Sequence, residues 1–244
     1  MCGIFFSLST SGLVHPIEET CGLLRQRGPD SFRVHSVQRD DPKDESQRSS
    51  RIGSAHLIFA STVLSLRGDR VHAQPLVDET SKSVLCWNGE AWKVAGQPVQ
   101  DNDTELIFQL FLQAVQPPSS ASEATDTTVA DHRNGDDDAV QRAADVISSI
   151  SGPFAFVFYD AFHSKVFFGR DCLGRRSLLQ GLDETGCLKI CSLCDGSSST
   201  PFEEVGTEGM YMIDLVDITP GTKCNIQTLP WTYGETIPSH HLVR

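Results

Sequence analysis

The tightest constraint on the fold lies at the start of the chain. Gly3-Ile4-Phe5-Phe6-Ser7-Leu8 is a short apolar run that reads as a buried strand beginning almost at the terminus. Ile17, Cys21 and Leu24 then fall at i, i+4 and i+7, the spacing of a short amphipathic helix, which Gly28-Pro29 stops. Strands are expected at 31–38, 55–66 and 84–88. Asp103-Thr104 offers an N-cap to a helix whose stripe is Leu106, Ile107, Leu110, Phe111 and Ala114, and Val140, Ala144, Ile147 and Ile150 repeat the helical pattern. Phe154–Tyr159 and Val166–Phe168 read as strands around a turn at 160–165, with further strands at 187–193 and 209–215. The pattern gives a layered α+β fold with mostly antiparallel strands and no βαβ dinucleotide unit.

Charge separates the framework from what hangs on it. The 244 residues carry 20 basic and 32 acidic side chains, a net charge of −12. A chain this acidic is not built to neutralise a phosphate backbone, so no nucleic acid is expected as partner. No run of roughly 18 apolar residues is present, so no membrane-spanning helix is expected either. Residues 117–138 hold six acids and one base among Ser, Ala, Thr and Pro, and read as a disordered acidic insertion. The polar stretch 40–51 reads as a loop, and the tail at 216–244 as a linker. The first residues have no basic region before a short apolar stretch, which is not the pattern of a secretory signal, and the eight cysteines follow no framework spacing. A cytoplasmic setting with free thiols is therefore expected.

Cys2 is the residue with the most chemical potential. Removal of Met1 would leave one residue carrying both a thiol and a free α-amine, with ordinary pKa values of about 8.5 and about 7.7–8.0. The amine can take the thiol proton near neutral pH, so nucleophile and base come from a single residue. Position 2 alone is a weak signal, but six motifs follow in order: Met1-Cys2-Gly3-Ile4, Arg27-Gly28-Pro29-Asp30, Gln74-Pro75-Leu76, Asn88-Gly89-Glu90, Asp103-Thr104-Glu105 and Gly169-Arg170-Asp171. In these the sequence resembles the N-terminal glutaminase domain of the asparagine synthetase family, a class II glutamine amidotransferase of the N-terminal-nucleophile type. The run Gly169–Leu179 points within it to the asparagine-synthetase-domain-containing subfamily.

The resemblance covers about residues 2–215 and implies a four-layer αββα sandwich. It implies that Cys2 attacks the side-chain amide of L-glutamine, that Asn88 and Gly89 form the oxyanion hole, and that Asp103 grips the substrate α-ammonium with Glu90 beside it. Arg27–Asp30 would shape the pocket. Each motif also has a plain structural reading: Asn88-Gly89 is a favoured hairpin turn, Asp103 an N-cap, and Arg27–Asp30 a helix stop and turn. One position departs from the family. The Arg that pairs with the substrate α-carboxylate usually stands eleven residues before the Gln-Pro pair, which here is Val63. Arg67 would share the face of residue 63 on a strand that ran on that far, and is expected to substitute.

No metal or organic cofactor is implied for the glutaminase half-reaction. In the family, ammonia passes to a synthetase domain that uses ATP and Mg, announced by a Ser-Gly-Gly-x-Asp loop; no such run occurs here. That partner domain is expected in cis on a longer chain or in trans on another. The alternative reading is a glutaminase-fold module that no longer turns glutamine over and serves in protein interaction. Cys187, Cys191 and Cys194 form C-x3-C-x2-C, but the four ligands of a structural zinc are not completed nearby, and buried thiols are expected instead.

Overall fold

The computed structural model describes residues 1–39, 54–116, 131–194, 196, 199–216, 218 and 224–231. In chain order the elements begin with β1 (Gly3–Ser9), α1 (Glu18–Arg27), β2 (Ser31–Arg39) and β3 (Ala55–Val63). Next come β4 (Leu76–Val77), β5 (Val84–Gly89), β6 (Lys93–Val94), β7 (Gln97–Pro98), α2 (Asp103–Val115) and α3 (Asp131–Ser148). The remaining strands are β8 (Ile150–Ser151), β9 (Phe154–Asp160), β10 (Lys165–Arg170), β11 (Leu179–Leu182), β12 (Leu188–Cys191), β13 (Phe202–Glu204), β14 (Gly209–Asp214) and β15 (Ile226–Pro230).

Two six-stranded antiparallel sheets stack face to face, one ordered β13-β11-β12-β1-β3-β2 and the other β15-β14-β10-β9-β5-β4. Side chains alternate across each strand, so Ile4, Phe6 and Leu8 of β1 enter the layer between the sheets with Phe59, Val157 and Phe168. Phe5 points the other way, against Leu24 of α1 and Ile58 and Ala60 of β3. The outer face of the second sheet carries Trp87, Phe156 and Phe158, packed on Ile107 and Phe111 of α2 and Ala143 and Ile147 of α3. The order of layers is helix, sheet, sheet, helices. This is the four-layer sandwich the resemblance implies, and it explains why Ile4, Phe5 and Phe6 of β1 are apolar in succession: both faces of the strand are buried.

Several boundaries differ from the sequence reading. Strand β3 stops at Val63 rather than 66, because the loop after α1 is stitched to it there: Pro29 bridges Val63, and Asp30 N–H donates to Val63 O at 3.0 Å. Asp30 Oδ2 then accepts from Ser65 N–H at 2.7 Å and turns the chain out of the sheet. The N-cap of α2 is Asn102, whose side chain accepts from Thr104 N–H at 3.0 Å, so Asp103 is the first helical residue and not the cap. Helix α3 begins at Asp131, inside the stretch read as a disordered insertion to 138. Acids suit the start of a helix, and Asp136 meets Lys165 Nζ at 3.5 Å and His163 Nε2 at 3.6 Å. Residues 117–130 and the loop at 40–51 lie outside the described residues.

The segment read as a linker from 216 onward contributes β15, which extends the second sheet along β14. Trp231 follows it, donating from Nε1 to Thr207 O at 2.6 Å, with its ring edge-on to Phe154. Among the described residues no helix is long and apolar enough to cross a membrane.

Candidate active site

Gly3 lets the N-terminus enter the sheet. A Cβ there would lie 2.6 Å from Thr62 Oγ1 and 2.7 Å from Leu24 Cδ2. Cys2 therefore sits at the mouth of β1, half-buried, with its carbonyl accepting from Arg27 Nε at 3.3 Å. The ammonium of the chain is on Met1 and donates to Arg27 O at 3.2 Å. The Cys2 thiol makes a long contact of 3.9 Å to Leu64 O. Burial pushes this thiol up from its ordinary value, against the opposing pull of that carbonyl contact, the terminal ammonium and Arg176; the Asp103 carboxylate adds to the rise.

Asn88 and Gly89 are the last two residues of β5, paired with Ala155 and Phe154 of β9, and form no hairpin turn. The ladder continues past them, with Glu90 N–H donating to Pro153 O at 2.9 Å. Trp87 N–H faces the opposite edge, where Gln74 Oε1 accepts it at 2.7 Å. Amides of an antiparallel strand alternate, so Gly89 N–H faces that same edge, beyond the end of β4, where Gly89 lines a cavity. Asn88 is 2 % exposed, and its Nδ2 has no hydrogen-bond partner among the described residues. A buried amide left with free donors is a position prepared for an acceptor that the protein itself does not supply. Gly89 is required, because a Cβ would lie 2.6 Å from the Trp87 ring and 2.8 Å from Phe154 Cβ.

Asp103 stands across the cavity, 6 % exposed. Its Oδ2 accepts from Trp87 Nε1 at 3.0 Å and from Ala91 N–H at 2.8 Å, which fixes the carboxylate. Burial nevertheless holds its pKa above the ordinary carboxylate range; those donors and Arg67 pull the other way. Arg67 reaches the same cavity although β3 ended at Val63, so the shared strand face that motivated it does not exist. What brings it in is the turn stitched by Asp30, together with an ion pair of 2.8 Å to Glu90 and a 3.5 Å contact to Ala91 O. Val63 lines the cavity as a buried apolar wall.

Cys2, Arg67, Asn88, Gly89, Glu90 and Asp103 thus converge on one cavity. Arg176 lines it as well and was not singled out from sequence; the only signal was its place in the Gly169–Leu179 run. The other cysteines differ from Cys2. Burial pushes the thiols of Cys86 and Cys187 up to about 12, which makes them packing residues. Cys191 is buried and Cys194 exposed, and among the described residues no group of three or more His, Cys, Asp or Glu is arranged to hold a metal ion.

No family model matches the chain. It is 28% identical over 241 residues to asparagine synthetase domain-containing protein 1 of Bos taurus, covering 96% of this chain and 32% of that protein. To the glutamine-hydrolyzing asparagine synthetase of Homo sapiens it is 24% identical over 255 residues, covering 99% of this chain and 38% of that protein. The chain spans about a third of the length of these curated relatives. Among solved structures, the allosteric regulatory enzyme of purine biosynthesis superposes with a TM-score of 0.53 at 14% identity, over 93% of this chain and 48% of that one, a likeness of fold alone. Over nearly all of its length the chain resembles the N-terminal region of the asparagine synthetase family, in the layered fold that this resemblance implies.

Proposed function

We propose that this chain is a glutaminase unit that hydrolyses L-glutamine to glutamate and ammonia. The observation that carries the reading is the convergence of the Cys2 thiol with a buried amide, Asn88 Nδ2, unpartnered among the described residues, in one cavity. Once Met1 is removed, the α-amine of Cys2 takes the proton from Sγ, and the sulfur attacks the side-chain amide carbon. The oxygen that gains charge is received by Asn88 Nδ2 and Gly89 N–H, donors that need no reorganisation. The protonated amine then gives its proton to the departing nitrogen, and ammonia leaves. Water cleaves the γ-glutamyl thioester, releasing glutamate and restoring the thiol.

At the other end of the substrate, Asp103 takes the α-ammonium and Arg67 the α-carboxylate, with Glu90 positioned to yield Arg67 or to share the ammonium. The glutaminase unit in this reading runs from residue 2 past 215 to include β15 and Trp231, which complete the second sheet. Ammonia would pass to an ATP- and Mg-dependent synthetase domain in cis or in trans, in a cytoplasmic setting, for an asparagine-synthetase-like reaction. The test is ammonia release from glutamine by Met1-free protein, with Cys2→Ala as control. Release only by the Cys2 protein supports the reading, and equal release from both rejects it.

One observation favours a second reading. Val63 leaves no cation where the family's carboxylate-binding Arg stands, as expected of a module that keeps the fold without turnover. Met1 retained in the protein isolated from cells would favour that module, since it blocks the amine.

A further inference from the structure

Asp171, Arg175 and Arg176 belong to one loop, and the two arginines are used differently. Arg175 is spent on the scaffold: Nε donates to Asp171 Oδ1 at 2.9 Å, a terminal nitrogen donates to Gly152 O at 2.7 Å, and the guanidinium lies 5.3 Å from the Trp92 ring centre. Arg176 turns into the cavity that holds Cys2. It has no ion pair among the described residues, and its Nε is buried without a partner. A guanidinium that lines a cavity and pairs with neither of its carboxylates, Glu90 and Asp103, marks a place where further negative charge is expected.

Its placement relative to Cys2 is fixed by a relay of hydrogen bonds. Ser177 Oγ donates to Ser192 O at 2.7 Å, Ser192 N–H to Ile4 O at 2.9 Å, and Ile4 N–H to Ser192 Oγ at 3.0 Å. One residue before Ser177 is Arg176, and two before Ile4 is Cys2. Leu178, fully buried between the sheets, anchors the other side of the loop. The charged groups acting on residue 2 are the terminal ammonium, Asp103 from α2, Arg176 from this loop and Arg27 from the end of α1, and of the two arginines Arg176 lines the cavity. Arg27, at the end of α1, is engaged through Nε with the Cys2 carbonyl.

We propose that Arg176 is a positioning residue for the nucleophile: its guanidinium shares the cavity with the Cys2 sulfur and is the counter-charge that this sulfur uses when it reacts. The proposal rests on Cys2 being the nucleophile and adds the group that favours its anionic form. Arg67, by contrast, acts on Asp103 at the amino-acid end of the cavity. The two arginines therefore divide the site, one serving the substrate head group and the other the reacting sulfur.

The test reads the thiol without glutamine. Met1-free protein, wild type and Arg176→Gln, is alkylated with iodoacetamide between about pH 5.5 and 9.5, and modification of residue 2 is followed by peptide mass. The midpoint for Cys2 should rise by about 0.5–1 pH unit in Arg176→Gln, with alkylation near neutral pH slowed by about 3–10-fold. Arg176→Lys, which keeps the charge, should restore most of the wild-type profile. Arg176→Met, which keeps an apolar stem, serves as the neutral variant should the Gln protein not fold. With glutamine, kcat should fall with KM within about twofold. An unchanged alkylation midpoint in a folded neutral variant overturns the proposal, as does a rise in KM alone. Because alkylation needs no turnover, a protein that releases no ammonia still tests Arg176, and a shifted midpoint without ammonia release faults only the glutaminase reading.

Discussion

The Arg67 guanidinium meets the Glu90 carboxylate at 2.8 Å in the lining of the cavity that holds Cys2, and neither side chain is deeply buried. A pair this exposed contributes little to the fold, so its placement matters more for what enters the cavity. Arg67→Ala should raise the KM for glutamine by about 10–100-fold, the worth of a charge-assisted hydrogen bond, with kcat within about threefold. Steady-state kinetics decide it. An unchanged KM would move carboxylate recognition away from Arg67.

Asn88→Ala removes the free amide from the cavity. Loss of one oxyanion donor predicts a fall in kcat of about 10²–10³, with KM little changed. The melting temperature should not fall by much, since Nδ2 gives up no partner in the described structure. A kcat close to wild type would remove Asn88 from the mechanism.

Asp103 is held ready at a cost to the fold. Folding raises its pKa above the unfolded value, chiefly by burial, so the ionised group weighs against the native state. The stability it brings is present below the ordinary carboxylate pKa and is lost as pH rises through the raised one. Asp103→Asn keeps an oxygen for Trp87 Nε1 and Ala91 N–H and removes the charge. At neutral pH this variant should melt at or above the wild-type temperature, the difference should close as pH falls towards 4, and glutamine turnover should be lost. Thermal melts across pH check the sign; a variant that melts well below wild type at neutral pH contradicts it.

Asp171 is a support of another kind, 2 % exposed and accepting from Phe154 N–H, Leu173 N–H, Arg175 N–H and Arg175 Nε. Asp171→Ala strands these donors. It should destabilise the protein by about 3–5 kcal/mol and lower the melting temperature by about 10 °C. Denaturant titration measures it, and a loss under about 1 kcal/mol would mean that the loop carrying Arg176 is held by other contacts.

What the sequence disclosed follows from the range of the forces involved. Strand β1 was legible because burial on both faces allows consecutive apolar residues at Ile4, Phe5 and Phe6, and α2 because one face packs on the second sheet. Asn88-Gly89 carries a strong local turn signal, yet its pairing with β9 overrides it. Strand β15 was missed because it lies at the sheet edge, half exposed, without an apolar run. The start of α3 was hidden because acids mark a helix terminus through charge rather than periodicity. Arg67 was named for a strand that ends four residues earlier, and reaches the cavity only through the long-range clamp of Asp30. Arg176 could not be separated from Arg175 by any local rule.

The most direct measurement of the central claim is the intact mass of the chain after exposure to a glutamine-like electrophile. Met1-free protein should gain a single adduct, mapped to Cys2 and prevented by excess glutamine, while Met1-bearing protein should gain none. An adduct on another cysteine, or no adduct on a folded chain that begins at Cys2, would contradict the account.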